Sequence, residues 1–393
     1  MSKQLRYLWV FSAQDDSWVE WNHRNIKRRQ DLGYDIVGYC NTPPYLNNRN
    51  WLQFSDLDRR WKTLDPDLFR MYAGLLEKMK DRDVLVLYNG ANLHPEFVSM
   101  LSILKVYTAG DDPEATEQLT RPAAPAFDIH LINNIDALGM YRSWGLKNVY
   151  FWPLGSLSTP DDVADINERN ILDLDTRPIP VVFFGTNYPS KTNRVNQIAK
   201  HFPEASCAGK GWARGFVSND EMYEIYRHAQ IGWNFHNSTG PINFRTYELP
   251  AYGILQICDN KSNLGKIYEL GKEVAGFDTI EECIELTHYY LEHPEEQRKI
   301  ALAGWERWRR EYHPDRVWEK LTEIVESHWD EYSARIQTGN NPRIEEIAKE
   351  KRLSSYYFRA LYIPSDLKQI CMDKGRTIFG ILRNRFKKNE ITP

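Results

Sequence analysis

The chain has 393 residues, a formal net charge of -4 and 42% hydrophobic residues, which excludes a single small core, a disordered chain and a strongly basic nucleic-acid binder. Five scattered cysteines, Cys40, Cys207, Cys258, Cys283 and Cys371, show neither metal-ligand spacing nor a disulfide framework, so reduced thiols and a cytoplasmic location are expected. The first residues lack a signal-peptide pattern, and no apolar run reaches the roughly 18 residues of a membrane span.

Residues 5–11 read as a strand, 18–32 as a helix and 34–39 as a second strand, a β-α-β opening. Residues 43–67, with Pro43-Pro44 and Asn47-Asn48, read as loops and short helical pieces. A helix over 71–80 precedes strands over 83–88 and 104–108. Weaker strands follow at 129–133 and 149–152, with helical residues 135–144 between them. Such alternation predicts a mostly parallel sheet covered by helices.

Residues 157–180 are rich in Asp and Pro and poor in apolar periodicity, as an inter-domain connection would be. The pattern resumes with a strand at 181–185 and a helix over 191–201. Further strands are expected near 205–207, 231–235 and 254–258, with helices over 219–228, 279–291, 294–312 and 314–337. The expected fold class is α/β: two Rossmann-like β/α/β domains facing across a cleft, with a helical C-terminal extension. The first domain spans 1–156, the connection 157–180, the second domain 181–330 and the extension 331–393. The modest basic bias of 371–393 fits either a solvated helix face or a contact with a phosphate-bearing acceptor.

The most informative run is Phe244-Arg245-Thr246-Tyr247-Glu248-Leu249-Pro250-Ala251-Tyr252-Gly253, a polar turn entering a short helix. A helix starting there is expected to offer free N–H groups and the Arg245 guanidinium to an anion, with Glu248 accepting hydroxyl hydrogen bonds. That combination suits a nucleotide diphosphate attached to a sugar. Gly185 ends a strand where a ligand can approach the backbone. Lys191 and Arg194 flank the first turns of the next helix, and Lys210 sits in a glycine-flanked loop; each is either a phosphate ligand or a solvated cation. Ordinary salt bridging or helix-terminal stabilisation is the competing reading for Arg245 and Glu248.

A general base from the first domain would serve an inverting transfer, and Asp16, Asp111 and Asp112 all follow strand ends, where open α/β sheets gather ligands. Asp112 precedes Pro113 and is alternatively a helix cap, whereas His94 is either a base or a structural histidine. The scattered histidines and isolated Asp111-Asp112 pair give no metal site.

In order along the chain, Gly185, Arg194, Arg245 with Glu248, Gly253, and Gly304 through Tyr312-His313 resemble the signature of glycosyltransferases with two Rossmann domains, the GT-B type. Within these, the chain resembles the spore-maturation (CgeB-like) branch. The first half resembles the same proteins through Gly110-Asp111-Asp112-Pro113 and through Tyr141 and Gly145 leading to Phe151-Trp152-Pro153-Leu154-Gly155, so the likeness covers roughly residues 80–325. It implies a metal-independent glycosyltransferase whose donor, a nucleotide-diphosphate sugar, meets Gly185, Lys191, Arg194, Lys210, Asn243, Arg245 and Glu248. Related retaining enzymes often carry two glutamates around this turn; Glu248 matches the second and Gly240 stands in place of the first.

A hydroxyl acceptor is expected, whether glycan, protein or modified nucleobase, and the absence of overall basic charge weighs against nucleic acid. The alternatives are a non-catalytic sugar- or nucleotide-binding protein on the same fold and a sugar-nucleotide epimerase.

Overall fold

The structure, a computed structural model, describes residues 4–46, 50–187, 189–236, 243–259 and 261–361. Six strands, β1 (Arg6–Phe11), β2 (Asp35–Cys40), β3 (Val84–Leu87), β4 (Leu104–Ala109), β5 (Ile129–Ile132) and β6 (Val149–Phe151), form one sheet in the order β2-β1-β3-β4-β5-β6. Five more, β7 (Ile179–Phe184), β8 (Ser206–Ala208), β9 (Ala229–Asn234), β10 (Leu255–Cys258) and β11 (Ala275–Gly276), form a second in the order β11-β10-β9-β7-β8. Every pairing in both sheets is parallel. Parallel strands need covered faces, and β3 and β5 accordingly bury every residue.

Local chemistry starts the covering helices. Asp15 accepts hydrogen bonds from the Ser17 and Trp18 backbone N–H groups to begin helix Asp16–Asp31. Asp65 does the same for helix Pro66–Met79, whose first residue is a proline that gives up no needed donor there. Thr279 caps helix Ile280–Glu292.

One segment differs from the sequence-based expectation. Residues 157–180 hold three short helical turns rather than an open connection, and Val163, Ile166 and Ile171 are buried in the core of the second domain. Arg177, fully buried, clasps this segment to the second sheet by donating to the carbonyls of Asn170, Ala229 and Tyr252. Acidic residues between those three apolar side chains mask the pattern in sequence.

The long helix Pro314–Thr338 crosses back to the first domain. Val317, Trp318, Leu321 and Val325 share a core with Tyr7, Trp9 and Trp152, and the Trp152 indole donates to the Val317 carbonyl at 2.8 Å. Arg28–Asp315 and Arg335–Asp128 ion pairs fasten its two ends. Helix Ile344–Leu361 covers the other side of the first domain, burying Ile347 and pairing Lys351 with Glu96. Among the described residues no helix is long and apolar enough to cross a membrane.

Candidate functional site

Both sheets aim strand ends at one interdomain cavity of about 760 Å³. From the first domain come Ser12 and Gln14 after β1, Tyr88 and Asn89 after β3, Gly110 and Asp111 after β4, and Asn133 after β5. Facing them are Gly185 and Thr186 after β7, Phe235 and His236 after β9, and Asn243, Phe244 and Arg245 leading into helix Arg245–Ala251. Carboxyl ends of parallel strands, where the order of the sheet reverses, form the crevice in which open α/β folds take ligands.

Arg245 dominates the second-domain wall. Its Nε donates to Asn234 Oδ1 at 3.2 Å, Nη1 to the Phe184 carbonyl at 2.9 Å and Nη2 to the Phe235 carbonyl at 2.8 Å, with Phe183 packed against the guanidinium. These partners are neutral, so the positive charge is held rigidly without being neutralised by them. A guanidinium has five N–H donors and three are used, leaving two for an anion at the cavity wall. Burial pulls its pKa down from the ordinary arginine value, while the nearby Asp259 opposes that shift. Gly185 makes the arrangement possible: a Cβ there would lie 2.8 Å from Arg245 Nη1.

Of the N–H groups expected to be free at this helix start, those of residues 246–248 are already taken. Thr246 N donates to Asn243, and Tyr247 N and Glu248 N both donate to the Phe244 carbonyl. The reason is a tight turn over 243–246, in which Asn243 also donates to Asn234 Oδ1 and the Phe235 carbonyl. Anion affinity on this wall therefore draws little on the backbone of residues 246–248.

Arg194 joins Arg245 on the cavity wall and pairs with Asp259 at 3.3 Å. Asp259 in turn accepts from the His236 backbone N–H and contacts His236 Nδ1 at 2.7 Å. Asp259 was not singled out from sequence, although it directly follows the apolar run of β10. His236, Cys258 and Asp259 bring potential metal-ligand atoms within 4.8 Å of one another. Hydrogen bonds already engage them: His236 Nε2 meets Thr246 Oγ1 and the Cys258 thiol donates to the Asp259 carbonyl. Burial raises the Cys258 pKa well above its ordinary value, favouring thiol over thiolate.

Glu248 lies one turn along the helix, but its side chain is buried beneath the wall rather than on it. It accepts from Leu157 N at 2.7 Å, from Ser158 N and from the Ser158 hydroxyl, so it grips the first residues of the interdomain segment. Burial raises its pKa to about 7 despite these donors. Lys210 is exposed away from the lining residues, and its carbonyl accepts from Asn187 N. Lys191 lies in helix Pro189–Ala199 with its side chain outside the described residues, as is Gly240 altogether.

In the first domain the structure separates the two adjacent aspartates. Asp111 is exposed on the cavity wall and accepts from Asn89 Nδ2 at 3.1 Å. Asp112 is buried behind it, accepting from the Tyr141 hydroxyl at 2.6 Å and Thr116 Oγ1 at 2.8 Å, and burial raises its pKa. Asp16 is exposed at the start of its helix and is not among the lining residues. His94 is buried between the rings of Trp61 and Phe54, meets Asp58 at 3.3 Å and caps helix Pro95–Ser99. Sequence reasoning missed the polar residues Asn89 and Asn133, whose positions after strand ends were the available signal.

The family described as "Glycosyl transferase-like" matches residues 182–323. No curated protein matches the chain. Among solved structures, a glycosyltransferase from Rickettsia africae superposes with a TM-score of 0.57 at 10% identity, covering 86% of this chain and 100% of that one. A sucrose-phosphate synthase from Thermosynechococcus elongatus gives 0.57 at 11% identity, covering 83% and 99%. HepE from Anabaena, in complex with UDP, gives 0.53 at 12% identity, covering 82% and 100%. At these identities the likeness establishes a shared two-domain fold.

Proposed function

From the premise that this chain has the GT-B fold of the glycosyltransferase superfamily, we propose that it moves a sugar from a nucleoside-diphosphate sugar to a hydroxyl acceptor. The observation that carries this reading is Arg245, a guanidinium fixed by three neutral acceptors with donors remaining at the cavity wall. The Anabaena structure contains UDP, which favours a nucleotide donor here without a separate cofactor. The finer kinship with the spore-maturation branch is supported by the ordered residues Gly185, Arg194, Arg245, Glu248, Gly253 and Gly304 through Tyr312-His313.

In the proposed reaction the acceptor oxygen forms a bond to the anomeric carbon as the bond from that carbon to the diphosphate breaks. The bonding pair leaves on the diphosphate, where Arg245 and Arg194 meet the growing negative charge. Asp111, on the opposite wall, takes the hydroxyl proton. Asn243 orients the wall by holding Asn234 and the start of the helix, and Glu248 fixes the segment that joins the domains.

Incubating the chain with a panel of nucleotide sugars and simple glycosides, and following free nucleoside diphosphate and product mass, tests the proposal. Release coupled to a mass gain of one sugar is expected. Absence of both release and nucleotide binding across the panel would overturn it.

A further inference from the structure

The cavity is electrically divided. Among the lining residues described, the second-domain wall carries Arg245 and Arg194, the latter paired with Asp259 behind it, and no carboxylate, whereas the first-domain wall carries Asp111 and Glu114 and no Lys, Arg or His. Phosphate groups therefore find attraction on one wall and repulsion on the other. Coulomb energies of this kind persist across a cleft because low-dielectric walls and excluded water limit screening.

The floor of the first-domain wall has a matching chemistry. Asn133 is 2% exposed; its Nδ2 is committed to the Trp152 carbonyl at 2.6 Å. That bond turns its Oδ1 toward Gly110, 3.3 Å from where a Cβ would stand, with no partner among the described hydrogen bonds. Asn89 Oδ1 lies at the same distance from that point and accepts from Gly110 N, and Asp111 stands beside it. An amide oxygen that has no protein donor and reaches the cavity is left for a ligand or water to satisfy. These atoms all accept hydrogen bonds, so they suit a ligand that donates them. Trp18, half-buried on the same wall and tilted against Phe244 at 6.2 Å, adds an aromatic surface on which the apolar face of a sugar ring can rest.

We propose that the first-domain wall selects an uncharged, hydroxyl-rich sugar as acceptor and disfavours phosphate-bearing acceptors, nucleic acid included. This rests on the transfer reading above and specifies its acceptor class. Hydroxyl donors meet Asn89, Asn133 and Asp111, the ring covers Trp18, and a phosphate carried on the acceptor meets negative charge.

The test is a titration of the full chain, saturated with UDP or whichever nucleoside diphosphate binds, with maltose, cellobiose and lactose. Parallel arms use glucose 6-phosphate and a short DNA duplex at low salt. At least one neutral disaccharide should bind at least about tenfold more tightly than either anionic probe. Asn133→Ala should weaken that disaccharide with nucleotide affinity unchanged, and Asp111→Asn should narrow the preference over glucose 6-phosphate. Equal or tighter binding of the phosphate or the duplex would overturn the proposal, as would no neutral sugar binding at millimolar concentration. Both failures leave nucleotide binding intact, whereas failure of the transfer reading removes nucleotide binding itself.

Discussion

Gly185 and Arg245 are fitted to each other: a methyl group on the glycine would stand 2.8 Å from the arginine Nη1, in the space the guanidinium needs to reach the Phe184 carbonyl. Gly185→Ala should push the guanidinium off its seat. Nucleoside-diphosphate affinity should fall about tenfold, consistent with loss of a charge-assisted hydrogen bond, while the melting temperature changes little. Calorimetry with thermal melting of the same samples checks this pairing of effects.

Glu248 gives the fold a pH signature. Its folded pKa is raised to about 7 by burial, above the ordinary glutamate value of about 4.3 in an unfolded chain. Between these values the folded state holds more protons than the unfolded state, so this group's contribution to stability declines as pH rises through that window and levels off above it. Glu248→Gln should remove up to about 4 kcal/mol of that decline. Urea denaturation at pH 5 and pH 8 should show a smaller difference for the variant than for the parent.

The neighbouring aspartates should separate in function. Asp111→Asn should lower turnover by at least about a hundredfold with nucleotide affinity retained, the signature of a lost proton acceptor. Asp112→Asn should instead cost about 1–2 kcal/mol of stability by weakening the bonds from Tyr141 and Thr116, with turnover per folded molecule preserved. Steady-state kinetics on active-site-titrated protein, together with denaturation curves, distinguishes the two roles.

Arg29 is buried between Trp9 and Trp318, its Nε and Nη1 without hydrogen-bond partners, and burial lowers its pKa to about 10. An isolated buried cation gains little that an apolar chain of similar size would not supply. Arg29→Met should therefore cost less than about 1 kcal/mol, whereas Trp318→Ala, which opens the joint between the returning helix and the first sheet, should cost about 3–5 kcal/mol. Chemical denaturation measures both.

The alternation of apolar runs and amphipathic stretches made the two parallel sheets legible, because strands such as Val84–Leu87 are short, fully buried apolar runs. Gly185, Asn243 and Arg245 were also readable as a strand-end glycine and a polar turn, and the structure brings them together on one wall. The direction of Glu248 was not readable: a carboxylate one turn after Arg245 can face the cleft or the segment at Leu157-Ser158, and only the tertiary path of that segment decides. The same is true of Asp111 and Asp112, where adjacency in sequence concealed opposite burial. The apolar spacing of Val317, Leu321 and Val325 announced a buried face without naming its partner, which lies some three hundred positions earlier at Tyr7 and Trp9.

Calorimetric titration of UDP, GDP and their parent nucleosides into the parent chain and Arg245→Gln examines the anion seat itself, since glutamine keeps an amide donor at the site while removing the charge. One diphosphate should bind the parent, and the variant should bind it at least about tenfold more weakly while holding the nucleoside with similar affinity. Equal affinity of parent and variant for that diphosphate, with the far-ultraviolet circular dichroism unchanged, would contradict a diphosphate held by Arg245.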